Sequence, residues 1–448
     1  MNIQKESMLI IVDKKEAYFS ELPKEILELF TIKSPVSDFS KWDGLFRFIR
    51  GNRCSTSMLH LVIEELDEMG INYKIIDRRN LTLKHKIIPQ VGSSYSLEDI
   101  QYFALQKMVY KIGGLTFYGG EYNCATNFGK SYLIFGLIKS LNADTVLVLF
   151  HRKLILEQIK ELLESLGEKV EIFSGNINPG VITLGMYLTV FNSKKFDIDL
   201  VIVDEAHLVI GKTYTKLLKN ITKQAGYYLS GTSDDYDNFL NRMKFIEIAG
   251  KELCRISNED LQKSGRSKKV IFEFIKYENK KYLDLKSYSE QYKMYIVNNY
   301  ERNCAIVDVV LKNNSKNIII FVREKEHGKI LQTLLKENEI SSAFVCSDTE
   351  LKRDIVKMYN IEIKVLIATK VLREGLNIFK SDYIINAMGE KSAINLKQFI
   401  GRVLRKLQID YDTVNLVDFE DDFKNFGIHS RIRYKIYKDE KFEEKQTN

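Results

Sequence analysis

The sequence predicts an α/β protein with two successive parallel-sheet domains after a small α+β unit. Short continuous apolar runs recur along the chain, such as Thr145–Phe150 and Leu200–Val203, and they are typical of strands buried on both faces. Segments with helical spacing separate these runs, and such alternation favours a parallel sheet. The chain has 448 residues, which is too long for one core. We therefore expect domains at 1–85, 86–250 and 251–448.

The first predicted domain, residues 1–85, combines short strand and helix patterns. The apolar run Leu9–Val12 predicts a strand, and Lys24–Phe30 and Leu59–Met69 have helical spacing. Phe46–Arg50 begins with alternating apolar and basic residues, which is typical of a half-buried strand with a cationic face. These patterns predict a small α+β domain.

Basic side chains cluster near that cationic strand. Arg47, Arg50 and Arg53 are candidate contacts to nucleic-acid phosphates, and a plain solvated face is an equally good interpretation. Trp42 lies just upstream, where a core anchor is the favoured interpretation over a base-stacking residue. The cluster is a candidate nucleic-acid surface outside the two parallel-sheet domains.

The second predicted domain contains a candidate phosphate site near its start. Ser96 is a candidate helix N-cap before an acidic turn. Further on, Cys124–Ser131 ends in Gly-Lys-Ser and precedes a helical pattern, as a P-loop does. Lys130 would reach the β- and γ-phosphates, and Ser131 would give its hydroxyl to Mg²⁺.

The loop itself departs from the usual P-loop pattern. Cys124 stands where the first glycine would be, and Asn127 stands where positive φ is usually needed. Asn tolerates the left-handed region better than most residues, so the loop can still form. Its backbone N–H groups would wrap the phosphates at a helix N-terminus. The candidate nucleotide-binding residues are Thr126, Asn127, Phe128, Gly129, Lys130 and Ser131.

An acidic strand end follows downstream. The apolar run of Leu200–Val203 leads into Asp204 and Glu205, then Ala206 and His207. Open α/β sheets bind ligands at the carboxyl ends of their strands. Asp204 would hold Mg²⁺ through water, and Glu205 would polarise the attacking water. Either motif alone also fits a surface turn or a helix cap, but their order and spacing favour an ATP-hydrolysing site.

The last predicted domain repeats the α/β pattern. Residues 250–269, with a glycine and a basic run, are the best candidate for a linker, and Val270–Ile275 would begin the next sheet. Asn317–Val322 predicts a buried strand, and Gly328–Leu335 predicts the helix after it. Val365–Thr369 predicts another strand.

Several segments occur in an order that resembles the superfamily 2 helicases over about residues 85–420. The segments similar to motifs II, III, V and VI are Asp204–His207, Ser230–Thr232, Ala368–Ile378 and Gln398–Arg405. Within that superfamily the chain resembles the UvsW-type branch-migration helicases of tailed phages. That similarity rests on Lys41–Phe48, which carries Trp-Asp-Gly, on Glu326–Lys329 and on Gly401–Lys406.

The resemblance implies two RecA-like domains in tandem that hydrolyse ATP with Mg²⁺. It implies catalytic roles for Gln398, Arg402 and Arg405 beside Lys130, Asp204 and Glu205. It also implies that Gln101 reads adenine and that Gly375 belongs to the nucleotide site. Further nucleic-acid contacts would come from Arg152, Thr189, Arg323 and Thr369.

Composition sets the remaining expectations. The chain is 45% hydrophobic and 28% charged, with a net charge of +7, which suits an ordinary soluble protein able to bind nucleic acid. The five cysteines are scattered, so zinc and a disulfide framework are not expected. No apolar run approaches membrane-spanning length, and we expect no signal peptide, no membrane association and a cytoplasmic location, that of the host if the chain is phage-encoded.

The resemblance implies a monomeric DNA helicase or translocase acting on single-stranded, forked and four-way junction DNA, with replication or recombination proteins as candidate partners. Two other classes stay open from the sequence. An RNA-dependent ATPase would use the same core, and a non-hydrolysing nucleic-acid clamp would lack turnover. Intact Lys130, Asp204, Glu205, Arg402 and Arg405 argue against the clamp.

Overall fold

The computed structural model describes residues 7–34, 43–87, 90–91, 95–125, 127–192, 195–231, 239–277, 287–350, 352–369, 381–404 and 413–446. Its contacts divide the chain into two compact units. The first contains residues 1–124 and 129–255, and the second contains residues 125–128 and 256–448. The three-domain division with boundaries after residues 85 and 250 stays a prediction.

Short elements make up the first hundred residues. In chain order they are β1 Met8–Val12, β2 Glu16–Phe19, α1 Lys24–Leu29, β3 Thr31–Lys33, β4 Leu45–Arg47, β5 Arg53–Ser55, a 3-10 turn Thr56–Met58, α2 Leu59–Glu68, β6 Tyr73–Asp77, β7 Gln90–Val91 and β8 Tyr95–Ser96. Four of the strands form one sheet in the order β5-β2-β1-β6, in which β1 and β6 are parallel.

The apolar face of this small sheet does not form a separate core. Ile10 and Ile63 belong to one buried cluster with Leu115, Phe117 and Met243 from later in the chain. Helix α2 supplies residues at helical spacing to that cluster. The amino-terminal sheet is therefore packed against the rest of the first unit.

The predicted strand over Phe46–Arg50 is wrong beyond Arg47, where β4 ends. Gly51 and Asn52 follow with φ of 56° and 54°, and the backbones of Arg50 and Arg53 exchange two hydrogen bonds of 2.9 and 3.2 Å. Two successive positive φ angles are typical of a tight reversal of the chain. The turn ends the strand that alternation alone would have continued. Trp42 lies outside the described residues.

The remainder of the first unit is a sheet of eight strands with helices. Its elements are α3 Asp99–Gln106, β9 Val109–Ile112, β10 Leu115–Cys124, α4 Lys130–Ser140, β11 Thr145–Phe150, α5 Lys153–Ser165, β12 Val170–Ile172, β13 Val181–Met186, α6 Tyr187–Phe191, β14 Phe196–Asp204, a 3-10 helix Ala206–Ile210, α7 Lys212–Asn220, β15 Ile221–Ser230, α8 Phe239–Ala249 and β16 Glu252–Ile256.

The strand order of this sheet is β12-β13-β11-β14-β15-β10-β16, and β9 pairs antiparallel with β10. The pairings from β12 through to β10 are parallel, which confirms the predicted parallel sheet. One local prediction is wrong, because Ser96 lies in β8 and Glu98 caps α3 instead. The linker predicted at residues 250–269 contains the boundary between the two compact units, after Arg255, and β16 within it joins the first sheet.

The second unit repeats the architecture. Its elements are α9 Asn258–Lys263, β17 Lys269–Ile275, α10 Tyr288–Tyr292, a π-helical turn Lys293–Val297, α11 Tyr300–Lys312, β18 Ile318–Phe321, α12 Lys325–Glu337, β19 Ser342–Val345, α13 Lys352–Ile361, β20 Val365–Ala368, β21 Tyr383–Asn386, α14 Ala393–Val403, β22 Thr413–Phe419, α15 Lys424–Asp439 and β23 Glu443–Glu444. The strand order is β19-β20-β18-β21-β22-β17-β23, with parallel pairings.

A buried ionic network lies under the carboxyl end of this second sheet. Arg302 Nε donates to Asp421 Oδ1 at 2.8 Å, and Arg433 Nε donates to Asp418 Oδ2 at 2.9 Å. Arg433 Nη2 also reaches Asp421 Oδ2 at 3.2 Å, so the four side chains are linked. Burial raises the pKa of Asp421, but the two arginines outweigh burial and hold it below its usual range. All four are charged and paired inside the core.

Among the described helices, none combines the length and apolar content needed to cross a membrane.

Candidate active site

Parallel strands place their carboxyl ends at one edge of a sheet, and ligands bind there in open α/β folds. In the first unit the strands that end at this edge are β13, β11, β14, β15 and β10, with last residues Met186, Phe150, Asp204, Ser230 and Cys124. The predicted phosphate loop and the predicted acidic pair therefore follow strands of the same sheet.

The phosphate loop follows β10. Asn127 has a φ of 77°, which confirms the expected positive φ at that position. Gly129 has a φ of 88° and is the N-cap of α4. Lys130 opens the helix, and its Nζ donates to the carbonyl oxygen of Cys124 at 3.3 Å. Thr126 lies outside the described residues.

The acidic pair ends β14. Asp204 is only 7% exposed, and Glu205 follows in the left-handed region at φ 49° and ψ 50°. A residue with a Cβ costs about 1–2 kcal/mol there. The conformation turns the chain sharply at the strand end and starts the 3-10 helix at Ala206. Backbone strain of this kind is concentrated at functional sites.

His207 connects this strand end with the next one. Its Nδ1 lies 3.4 Å from Glu205 Oε2 and 3.4 Å from the Ser230 hydroxyl oxygen at the end of β15. Both distances are long for hydrogen bonds, so the three side chains form a loose polar chain. His207 and Ser230 lie in the segments similar to motifs II and III, but the sequence analysis predicts no site role for them.

His151, directly after β11, is a further residue that the sequence did not select. Burial and the neighbouring Arg152 lower its pKa to about 4, although Glu205 opposes them. Its Nδ1 is buried and has no hydrogen-bond partner among the described residues. The ring is therefore neutral at pH 7 and adds no charge near Glu205. In the sequence, His151 could have been selected because it directly follows a predicted buried strand.

Gln101 lies on α3 and is fully buried. Its side-chain oxygen accepts a hydrogen bond of 3.3 Å from the backbone N–H of Glu98, which completes a capping box. The structure thus gives Gln101 a role in fixing the start of α3. Its proposed contact with adenine stays a prediction.

Other predicted site residues are only partly described. Gln398 and Arg402 lie on α14, but their side chains are outside the described part of the structure. Arg405 and Gly375 lie outside it entirely. Their assigned roles stay predictions.

The three predicted arginine contacts of the amino-terminal region are close in the chain but are not equally available. Arg47 is paired with Asp43 at 2.6 Å, and Arg53 with Glu16 at 3.4 Å. Arg50 Nε donates to the carbonyl oxygen of Arg47 at 2.9 Å, so its charge meets no carboxylate among the described residues.

The remaining candidate contacts follow strands of both sheets. Arg152 is the N-cap of α5 after β11, and Thr189 is exposed on α6 after β13. In the second unit, Thr369 follows β20 and is 6% exposed. Arg323 follows β18, where its guanidinium lies 4.5 Å from the centre of the Tyr292 ring. Each lies at the carboxyl end of a strand, and their contacts with nucleic acid stay predictions.

Comparison with known families identifies two matching regions. Residues 94–235 match the family described as type III restriction enzyme, res subunit, and residues 301–406 match the helicase conserved C-terminal domain. The first range includes the phosphate loop and the acidic pair. The second includes α14, which carries Gln398 and Arg402.

Individual proteins give the same result. The Saccharomyces cerevisiae protein IRC3, which carries the name of an ATP-dependent helicase, is 25% identical over 372 residues, covering 75% of this chain and 53% of its own. The ATP-dependent DNA helicase uvsW of Enterobacteria phage T4 is 26% identical over 245 residues, covering 51% of this chain and 48% of its own. The chain therefore spans about half the length of these curated relatives.

A solved structure agrees in fold. Dbp5 of S. cerevisiae, bound to RNA and ADP BeF3, has 16% identity and a TM-score of 0.52, covering 78% of this chain and 90% of its own. This likeness concerns the fold alone. Given the two helicase-type domain matches in order along the chain, the motif residues at one sheet edge and the similarity to uvsW, the chain belongs to the superfamily 2 helicases and resembles their UvsW-type members.

Proposed function

We propose that this chain hydrolyses ATP to translocate along DNA and to unwind and branch-migrate forked and four-way junction substrates. The observation that carries the proposal is the grouping at one sheet edge of the Lys130 loop with Asp204, Glu205, His207 and Ser230. This set contains a lysine of the phosphate loop and the buried carboxylate of Asp204. It also contains Glu205, whose backbone is in the left-handed region and whose carboxylate lies 3.4 Å from His207.

The loop and the strand end fit ATP with Mg²⁺. Positive φ at Asn127 and Gly129 lets the chain curve into the N-terminus of α4, where backbone N–H groups favour phosphate. Lys130 adds a point charge for the β- and γ-phosphates. Ser131 and Asp204 offer the oxygen ligands that Mg²⁺ prefers, and the bound ion would neutralise charge that develops on the phosphates.

In this proposal Glu205 orients the attacking water. Its carboxylate is mostly buried and has His207 Nδ1 at 3.4 Å, so its position is held from one side. A carboxylate that accepts a hydrogen bond from water directs the water's lone pair toward the phosphorus. The resemblance assigns catalytic roles to Gln398, Arg402 and Arg405, and cationic side chains stabilise the charge spread over a transferring phosphoryl group.

Nucleic-acid binding would rest mainly on phosphates. Arg152, Thr189, Arg323 and Thr369 are the candidate contacts, at strand ends of the two sheets. Binding through phosphates releases counterions and is largely indifferent to sequence, so affinity should fall steeply with salt. The DNA preference rests on similarity to the phage DNA helicase, about half of which this chain covers. We propose that the chain acts as a monomer, with replication or recombination proteins as partners.

The test is ATP turnover measured with Mg²⁺ and single-stranded DNA, forked DNA, a four-way junction or RNA of matched sequence. Strand displacement is measured on the same DNA substrates. We expect the DNA forms to stimulate turnover and the fork and junction to be processed. Lys130→Ala should abolish both activities, whereas Lys139→Ala, an exposed lysine of the same helix, should change neither.

Greater stimulation by RNA than by any DNA form would replace this proposal with an RNA-dependent ATPase. Binding without turnover under all conditions would indicate a clamp.

A further inference from the structure

An open cavity lies in the first unit away from the phosphate loop. On one side, Lys14 follows β1 and Arg79 follows β6, at the carboxyl ends of two parallel strands of the small sheet. On the other side are Phe117 and Lys223, in the first halves of β10 and β15. The loop begins at the far end of β10, roughly 16 Å along the strand from the cavity.

The described lining of this cavity is positively charged. Lys14, Arg79 and Lys223 all contribute to the wall, and none of the described lining residues is a carboxylate, although Asp197, outside the lining, lies 3.3 Å from Lys14 Nζ. Burial, and then Lys223 and Lys195, lower the pKa of Lys15, which follows Lys14, although Asp197 opposes them. Such a concave basic surface favours an anion.

Arg79 is fixed in this wall. Its side chain is 5% exposed, and its Nε and Nη2 donate to the two carboxylate oxygens of Asp77 at 2.8 and 2.7 Å. Its guanidinium lies 4.5 Å from the centre of the Phe117 ring, which in turn stacks on Tyr110 at 5.0 Å. Its Nη1 has no hydrogen-bond partner among the described residues, so the fixed guanidinium still has N–H groups that can donate to a ligand.

The floor of the cavity depends on a glycine pair. Gly119 and Gly226 are opposite each other in β10 and β15. A Cβ on Gly226 would lie 2.6 Å from Lys223 Cε, so the missing side chain lets the lysine lie along the strand. Lys223 has no carboxylate partner among the described residues, and its Nζ lies 6.0 Å from the centre of the Tyr228 ring. This leaves a second cation available to a ligand.

We propose that this cavity is a binding site for a terminal phosphate group, carried either by a free phosphorylated small molecule or by the end of a DNA strand. Arg79 is recessed, so only a phosphate at the end of a molecule can reach it. A phosphate inside a duplex is flanked by sugars on both sides and stays at the rim.

The first experiment is titration calorimetry of the full chain with pyrophosphate, without Mg²⁺. Lys130→Ala is present throughout to weaken binding at the phosphate loop, whose remaining contribution is the same in the test and control variants. The test variant adds Lys14→Gln and Lys223→Gln. The matched control adds Lys24→Gln and Lys160→Gln, which remove the same charge from exposed surface pairs of the same unit.

We expect the control to bind pyrophosphate as the Lys130→Ala background does, and the test variant to bind on the order of tenfold or more weakly, because it loses two charged donors. Arg79→Lys should also weaken binding, since it keeps the charge and loses the planar fork. Because the lysine pair is partly exposed, it tests the site even where the Arg79 variant fails to fold.

A second pair of titrations separates the two sources. A single-stranded oligonucleotide with a 5′-phosphate is compared with the same strand carrying a 5′-hydroxyl. A preference for the phosphorylated end that Lys14→Gln/Lys223→Gln removes assigns the site to DNA ends. Pyrophosphate binding with no preference between the ends assigns it to a small molecule. Equal binding of both probes by the test variant and the control overturns the proposal. None of these readouts requires ATP hydrolysis, so this result is independent of the proposed function.

Discussion

Glu205 combines two properties relevant to catalysis. It has a left-handed backbone conformation, and its carboxylate lies 3.4 Å from His207. Glu205→Gln keeps the size of the side chain and removes the charge that would orient water. We expect ATP binding to survive and turnover to fall by ~10² or more, the range for a positioned acid–base group.

The measurement for this substitution is steady-state ATP turnover together with the affinity for ATP. Glu161→Gln, on the exposed face of α5, is the matched control and should behave as the parent does. Turnover within a few-fold of the parent in Glu205→Gln would remove Glu205 from the proposed mechanism.

Sequence reasoning reached some residues and missed others for physical reasons. The positive φ of Asn127 was predictable because it follows from the glycine pattern of a phosphate loop and from the backbone tolerance of Asn. The lowered pKa of His151 was not predictable, because it depends on burial and on Arg152 in the folded chain. The contact of His207 with Ser230 joins two strands, and no local pattern encodes it.

At the scale of elements, the packing of α11 against α12 contains a buried histidine. His327 Nε2 lies 2.9 Å from Asn303 Oδ1, and burial lowers the pKa of His327 to about 3. The unfolded chain binds this proton below about pH 6.5, whereas the folded chain does not. The contribution of neutral His327 to the free energy of unfolding is therefore complete above pH 6.5 and is lost as the pH falls toward 3. One proton gives a slope of about 1.4 kcal/mol per pH unit.

This slope is measured by hydrogen exchange of the α12 peptides between pH 6.5 and 5. We expect the opening free energy to fall with pH less steeply in His327→Gln than in the parent, by about that slope. His85→Gln, at an exposed position of the first unit, should leave the slope unchanged. Identical slopes in the parent and His327→Gln would show that His327 does not resist protonation.

The tight turn between β4 and β5 places Arg50 and Arg53 opposite each other. If this turn binds junction arms, replacing Arg47, Arg50 and Arg53 with Glu should weaken junction binding and reduce its salt dependence. The structure refines this expectation, because Arg47 and Arg53 already pair with carboxylates. Arg50→Glu alone should account for most of the loss.

Junction affinity is measured against salt concentration for these variants. The control replaces three exposed lysines of the second unit, Lys329, Lys336 and Lys441, with Glu. ATP turnover stimulated by single-stranded DNA should change far less than junction affinity. Equal affinity and equal salt slope in the parent and the triple arginine variant would leave the turn with a structural role only.

The regular elements were predicted best where burial dominates. Thr145–Phe150 is a strand with the predicted ends, because both faces of a central parallel strand require apolar residues. The linker predicted at residues 250–269 contains the boundary between the two units, but its charge and glycine did not reveal β16. In the structure, Cys254 and Ile256 are buried in β16, the edge strand of the first sheet. A short edge strand with alternating exposure resembles a loop in composition.

For the whole molecule, the central prediction is that the nucleotide and DNA surfaces are separable. Lys130→Ala should abolish ATP turnover while binding of single-stranded DNA without nucleotide stays within a few-fold of the parent. The candidate DNA contacts Arg152 and Thr189 follow other strands than the loop does. Fluorescence anisotropy measures the binding, and circular dichroism checks the fold. Loss of DNA binding by a folded variant would contradict the assignment.

The organisation of the whole chain was only partly accessible to sequence reasoning. The alternation of strands and helices predicted both parallel sheets and their place in the chain. It did not reveal that Ile10 and Ile63 share a core with Phe117 and Met243. Contacts between residues so distant in sequence depend on surfaces that form only after both sheets exist.

The buried ionic network of the second unit also determines how this protein can evolve. Replacing any one of Arg302, Arg433, Asp418 and Asp421 would leave the buried network with an unbalanced charge, at a cost of about 3–5 kcal/mol. An apolar set replacing all four together could be neutral or stabilising. The four positions therefore have strong epistasis. A library that randomises one codon at a time should return the parent residue at each, whereas combinatorial libraries should find solutions that no series of single steps can reach.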